Sequence, residues 1–223
     1  MVSDSANNVI FEFSAAQTTT VSTVPIVPVA TLTNVNFNGP LGIAFDSGNN
    51  LWIENNGGTT VVEVASAVLT AAAGITPVPL ATTLNASTVG GLLTINNPWG
   101  LVFDADGDLW ITNEQLSVSA CAGTVVEFSK ASISGFGNLT PAPSVVLTPT
   151  AVGTTFSLCD PNGITMNKQE NIVVANAAGN SLARYSSSQI GASGSPVPAL
   201  LIFGGATTLN GPTGLIYGPL SLQ

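Results

Sequence analysis

"NPWGLVFDADGDLWITNE", residues 97–114, is rewritten as "GPLGIAFDSGNNLWIENN" from Gly39 and as "DPNGITMNKQENIVVANA" from Asp160. A shorter copy, "GPTGLIYGPLSLQ", starts at Gly211. The proline of each copy (Pro40, Pro98, Pro161, Pro212) recurs after 58, 63 and 51 residues. Recurrence at this size marks a supersecondary unit that buries its apolar faces by stacking on its neighbours. Within a unit, "GLVFD" (Gly100–Asp104) is a short continuous apolar run, as expected of a strand covered on both faces. "ADGD" (Ala105–Asp108) is rich in turn formers, so it predicts a hairpin, and "LWITN" is the return strand. The third strand is "TVVEF" from Thr124, matched by "VIFEF" from Val9, "TVVEV" from Thr60 and "SLARY" from Ser181. Its side chains alternate between two faces. Small polar residues follow, predicting a brief helical turn. Last comes a strand with two prolines: Pro25 and Pro28, Pro77 and Pro79, Pro141 and Pro143, Pro196 and Pro198. Proline cannot donate to a ladder, so this strand belongs at the outer edge of its sheet.

Four-stranded antiparallel sheets repeated radially make a β-propeller. The chain opens on a third strand ("VIFEF") and closes on a first ("GLIY") and a shortened second ("LSLQ"). The expectation is therefore one all-β domain over residues 1–223, a four-bladed propeller with blades at about 40–85, 98–148 and 161–204. A composite blade joins 8–35 with 212–223, so that the N- and C-terminal strands close the ring.

Composition narrows the function. The chain has 223 residues, 45% hydrophobic and 7% charged, with three Lys+Arg against twelve Asp+Glu and a formal net charge of −9. So much apolar content supports a core and argues against disorder. The shortage of cations argues against nucleic acid and anionic lipid as partners. No apolar run is long enough to span a membrane, and no basic-then-apolar leader opens the chain. The count of histidines is zero, which removes Ser–His and Cys–His nucleophiles and His-based zinc sites.

The units "PWGLVFDADGDLWITN" and "GTVVEFSKASI" resemble NHL-type propeller repeats, distantly similar to the gluconolactonase/regucalcin superfamily. The resemblance covers nearly the whole chain and implies a ligand site at the channel mouth, where the fourth-to-first and second-to-third connections gather. In the lactonase relatives that mouth holds a divalent metal on acidic and Asn ligands, some in "P-N-G" or "P-D-G" turns. The matching positions here are Leu41, Trp99, Asn162 and Thr213, of which Asn162 alone fits.

At the ends of the second strands lie Glu54, Asn55, Asn113, Glu114 and Asn176. With Trp99, Asp160 and Asn162 they are expected to ring the mouth, where they would bind a sugar or a divalent cation such as Ca²⁺ in the central channel. For a cation the candidate ligands are Glu54, Asn113, Asn162 and Asn176. The simpler reading is that these polar groups satisfy backbone where strands end. Likewise "DADGD" brings three carboxylates together but lacks the EF-hand spacing, so a plain turn is the preferred reading. Trp52 and Trp110 are expected to pack between blades. Cys121 and Cys159 sit in the two longest connections on one face, which predicts a disulfide in an extracytoplasmic chain. "NAS" at Asn85 and "NLT" at Asn138 match the glycosylation pattern. The function expected is a non-catalytic extracellular or periplasmic binding or assembly module, with a protein or carbohydrate partner and possible self-association. The alternative is a metal-dependent, lactonase-like hydrolase with a carboxylate as general base.

Overall fold

The computed structural model describes residues 1–19, 23–114 and 121–216. Four larger sheets stand side by side in chain order. The first holds β1 (Val2–Asp4), β2 (Val9–Glu12) and β3 (Ala30–Thr33). The second holds β4 (Pro40–Phe45), β5 (Leu51–Asn55), β6 (Thr60–Val64) and, beyond β7 (Gly74–Pro77), β8 (Thr82–Asn85). Two small strands, β9 (Thr88–Val89) and β10 (Leu92–Leu93), form a hairpin leading to the third sheet. That sheet is built from β11 (Pro98–Phe103), β12 (Leu109–Asn113) and β13 (Thr124–Phe128), then, past β14 (Gly137–Leu139), β15 (Val145–Leu147). After the hairpin of β16 (Ala151–Val152) and β17 (Thr155–Phe156) come β18 (Pro161–Met166), β19 (Ile172–Asn176), β20 (Ser181–Tyr185) and β21 (Leu200–Ile202). Within each sheet the chain runs antiparallel from the inner strand outward.

Local chemistry sets the repeat. The residue before each repeat proline is left-handed: Gly39 (φ 61°), Asn97 (47°), Asp160 (57°) and Gly211 (56°). Gly, Asn and Asp are the residues that tolerate this conformation. At the opposite end of the inner strand, Asp46 Oδ1 accepts from the amides of Gly48 and Asn50, Asp104 Oδ1 from that of Asp108, and Asn167 Oδ1 from those of Gln169 and Asn171. A side-chain oxygen thus closes each turn, as the sequence pattern predicts. A one-turn helix follows the third strand in every unit: α1 (Ala15–Thr19), α2 (Ser66–Ala71), α3 (Lys130–Ile133) and α4 (Ser187–Ile190).

Alternation along the second and third strands gives every sheet two apolar faces. The front of one packs on the back of the next. Trp52, Val61 and Leu84 of the second sheet meet Leu109, Ile111 and Phe128 of the third. In the same way Trp110, Val125 and Leu147 of the third meet Ile172, Val174 and Tyr185 of the fourth. Both tryptophans are 3% exposed, in the inter-sheet position expected of them. Each of these fully covered side chains contributes about 1.5–3 kcal/mol, so the seams between sheets are the core.

Two expectations are corrected. The two prolines precede the fourth strand instead of lying within it. The segment that carries them crosses to the sheet before, where β7 lies parallel on β3 and β14 parallel on β8. Gly194 bridges Leu147 in the same sense. Proline is tolerated there because this strand is the outermost one. The second correction concerns the chain ends. Val9–Phe13 was expected to share one sheet with Gly214–Tyr217 as first strand and Leu220–Gln223 as second; β2 has β1 on one edge and β3 on the other, and Leu220–Gln223 lies outside the described residues. Val2–Asp4 wins because it is four residues away, and a short loop costs least to close. Asp4 holds that loop by accepting from the Ala6 and Asn7 amides. Thr213–Leu215 instead lie against Gly163, as Asn162 lies against Gly100 and Trp99 against Gly42. Tyr217 and 218–223 fall outside the described residues.

Candidate functional site

The inner strands begin, and the second strands end, on one face. Asn55, Asn113 and Asn176 occupy equivalent places there, and all three are buried. Asn113 Oδ1 accepts from the Asn96 amide at 3.0 Å, while its Nδ2 donates to Thr94 O at 3.1 Å and Thr124 Oγ1 at 3.2 Å. Asn176 makes the same set with the Cys159 amide, Ser157 O and Ser181 Oγ. Asn55 repeats it with the Asn38 amide, Asn36 O and Thr60 Oγ1. Each amide therefore clasps the connection entering its own sheet and the start of the third strand. Its donors and acceptor are occupied by the chain, so none points a free oxygen into the mouth.

One place before the end of the second strand, Ser3 and Thr112 reach toward the next sheet, whereas the fourth sheet has Ala175 there. Ser3 Oγ donates to Leu41 O at 2.6 Å, and Thr112 Oγ1 donates to Asn162 O at 2.5 Å. Glu54 holds the equivalent position between the second and third sheets. It is fully buried and neither carboxyl oxygen has a hydrogen-bond partner among the described residues. Burial pushes its carboxyl well above the usual carboxylate range, because a low-dielectric setting disfavours the charged form.

Four other residues do meet at the seam of the third and fourth sheets. Trp99 Nε1 donates to Glu114 Oε2 at 3.0 Å. Asn162, its amide oriented to donate, reaches Asp160 Oδ1 and O at 3.2 Å. Burial raises the Asp160 carboxyl, and the negative charge of Glu114 raises it further. Trp99, Glu114 and Asp160 are all half-buried. An indole thus stands beside two carboxylates and an amide. The disulfide Cys121–Cys159 ties the second-to-third connection of the third sheet to the entry of the fourth, next to Asp160, and neither cysteine is free. Of the expected mouth residues the fold gathers Trp99, Glu114, Asp160 and Asn162, turns the three asparagines inward and buries Glu54 alone.

A second polar group lies at the opposite face and was not anticipated in full. Asp104, Asp108 and Glu127 place oxygens within 4.8 Å of one another, beside a cavity of about 210 Å³. Burial, then Asp108 and Asp104, push Glu127 up to about 7. The second sheet has the same arrangement in Asp46, Asn50 and Glu63, with Trp52 Nε1 donating to Asp46 Oδ2 as Trp110 Nε1 does to Asp104 Oδ2. There Asn50 Nδ2 donates to Asp46, and Thr82 donates to Glu63. Asp108 replaces that amide by a carboxylate, which explains the higher charge density around Glu127. The signal was present in the third-strand Glu of "VVEV" and "VVEF", each directly opposite a Trp in the ladder.

No protein-family model and no curated protein sequence matches the chain. Among solved structures, selenomethionine-substituted virginiamycin B lyase from Staphylococcus aureus is similar at a TM-score of 0.50 and 15% identity, over 82% of this chain and 47% of the lyase. A candidate 6-phosphogluconolactonase from Bacteroides fragilis NCTC 9343 is similar at 0.51 and 15% identity, over 86% of this chain and 43% of that one. The chain thus spans less than half the length of the structures it matches. At this identity the likeness is one of fold: an all-β protein of mostly antiparallel sheets, with the β-propeller fold.

Proposed function

We propose that the protein is a non-catalytic binding module whose mouth, at the seam of the third and fourth sheets, takes a neutral carbohydrate. The observation that carries this reading is the grouping of Trp99, Glu114, Asp160 and Asn162, while Asn55, Asn113 and Asn176 are occupied elsewhere. A half-exposed indole supplies an apolar face for a pyranose ring, and carboxylates accept hydrogen bonds from sugar hydroxyls at better than neutral strength. The cystine beside Asp160 holds the two connections that carry the group, so little order has to be imposed on binding.

The hydrolase alternative calls for converging oxygen ligands from Glu54, Asn113, Asn162 and Asn176. Two of those amides are bound to backbone, and Glu54 is enclosed, which weighs against that donor set. Calorimetric titration with a panel of neutral oligosaccharides, and separately with Ca²⁺, Zn²⁺ and Mn²⁺, tests both. The expected result is saccharide binding that Trp99→Ala and Asp160→Asn each weaken at least tenfold. Saccharide affinity unchanged by either substitution, or cation binding lost on Asn162→Ala with no saccharide response, overturns the reading.

A further inference from the structure

Three seams are built alike, front face on back face, and among the described residues two faces of the same kind are left over. On the front of the fourth sheet, Leu200 and Ile202 are the repeat equivalents of Val145 and Leu147. Those are 4% and 0% exposed, whereas Leu200 and Ile202 are 44% and 40% exposed. On the back of the first sheet, Val2 is the equivalent of Ile53, yet it is 51% exposed where Ile53 is 0%. Helices α2, α3 and α4 each bury one side chain in the seam behind them (Leu69, Ile133, Ile190), and α1 buries none.

The outer edges carry the same message. Every fourth strand before β21 receives the crossing segment of the following unit. Among the described residues β21 pairs only with β20. The first unit has a matching segment at 23–29. Gln17 holds it by donating to Val27 O, as Gln189 in the fourth unit donates to Val197 O. Ile26 is 40% exposed, whereas its equivalent in the second unit, Val78, is 2% exposed. A bare front and a bare back of this kind are the two halves of one more seam.

We propose that the front of the fourth sheet binds the back of the first sheet in a second copy of this chain, head to tail, with segment 23–29 of that copy laid parallel along β21. Repeat equivalence identifies the occupant: each internal front is covered by a back of this same sequence type. The two faces stand on opposite ends of the row, and among the described residues the first and fourth sheets share no strand pairing. With 7% charged residues in the chain, joining such faces desolvates few ions. The contact is heterologous, so it propagates unless rotation closes it into a ring. None of these residues lies at the mouth, so this inference stands or falls independently of the ligand.

Sedimentation velocity of the intact chain over a hundredfold concentration range tests it. The wild-type chain is expected to associate beyond the monomer. Leu200→Asp/Ile202→Asp, which spoils the front, and Val2→Asp/Ile26→Asp, which spoils the back, are each expected to be monomeric alone. Mixed one to one, they are expected to form a dimer and nothing larger, because one intact front and one intact back remain. Thermal melting checks that both fold, and Leu200→Thr/Ile202→Thr replaces the front variant if it does not. A wild-type monomer at every concentration, self-association by either folded variant alone, or a mixture that stays monomeric overturns the proposal.

Discussion

Replacing Asn113 by Ala separates a structural clasp from a ligand-binding amide. The side chain is fully buried and makes three hydrogen bonds, to the Asn96 amide, Thr94 O and Thr124 Oγ1, at 3.0, 3.1 and 3.2 Å. A typical intramolecular hydrogen bond contributes about 1 kcal/mol net, and stranding buried partners costs more than removing both sides. The three together place the loss at about 3 kcal/mol. For a domain of this size that is about 6–12 °C of melting temperature. Urea unfolding followed by tryptophan fluorescence measures it, with the m-value checked for constancy. Asn113→Asp is the companion. It keeps the acceptor for Asn96 but loses both donors and buries a charge, so it is expected to be at least as destabilising at neutral pH and to recover in part on acidification. A loss below about 0.5 kcal/mol for Asn113→Ala, the level of an ordinary surface substitution, refutes the clasp.

Three more outcomes follow from the same geometry. Glu54 has a folded-state carboxyl raised above its ordinary value by burial, so its contribution is fully present at low pH and is lost as pH rises through the raised value. Glu54→Thr, copying Thr112, is expected to raise the melting temperature and flatten its decline between pH 5 and pH 9, and a profile parallel to wild type contradicts this. Glu127, pushed up to about 7, acts in the same direction in the window from its ordinary value of 4.5 to about 7. Glu127→Gln should therefore melt higher than wild type at pH 8 and converge with it near pH 4; no difference at pH 8 refutes the crowding of Asp104, Asp108 and Glu127. Opening the Cys121–Cys159 link, 38 residues apart, by the double substitution to Ala removes a loop constraint of about 4 kcal/mol in the chain-entropy account. Unfolding in urea reads it, and an unchanged midpoint shows that the unfolded chain gains nothing from release.

Much of the architecture was legible in the order of residues. The left-handed positions before Pro40, Pro98, Pro161 and Pro212 carry Gly, Asn or Asp, the turns carry Asx residues, and the third strands alternate. Each of these is a local demand that a few adjacent residues meet by themselves. The pairing of Cys121 with Cys159 was legible too, because only two cysteines exist and both lie in connections on one face.

What the order of residues could not decide is where equal-looking groups end up. Asn162 and Asn176 are the same residue type in similar settings, yet one faces Asp160 in the mouth and the other is locked on Ser157 and Cys159. Glu54, Glu63 and Glu127 are three strand glutamates, one enclosed without a partner among the described residues, one satisfied by Thr82, one crowded by two aspartates. Val2–Asp4 took the edge of β2 that a distant copy of the repeat also matched by pattern. Periodicity assigns a side chain to a face of its own sheet. The neighbour that the face meets, and hence whether an amide is occupied or an acid is charged, depends on stacking between units far apart in the chain, and that is settled only in three dimensions.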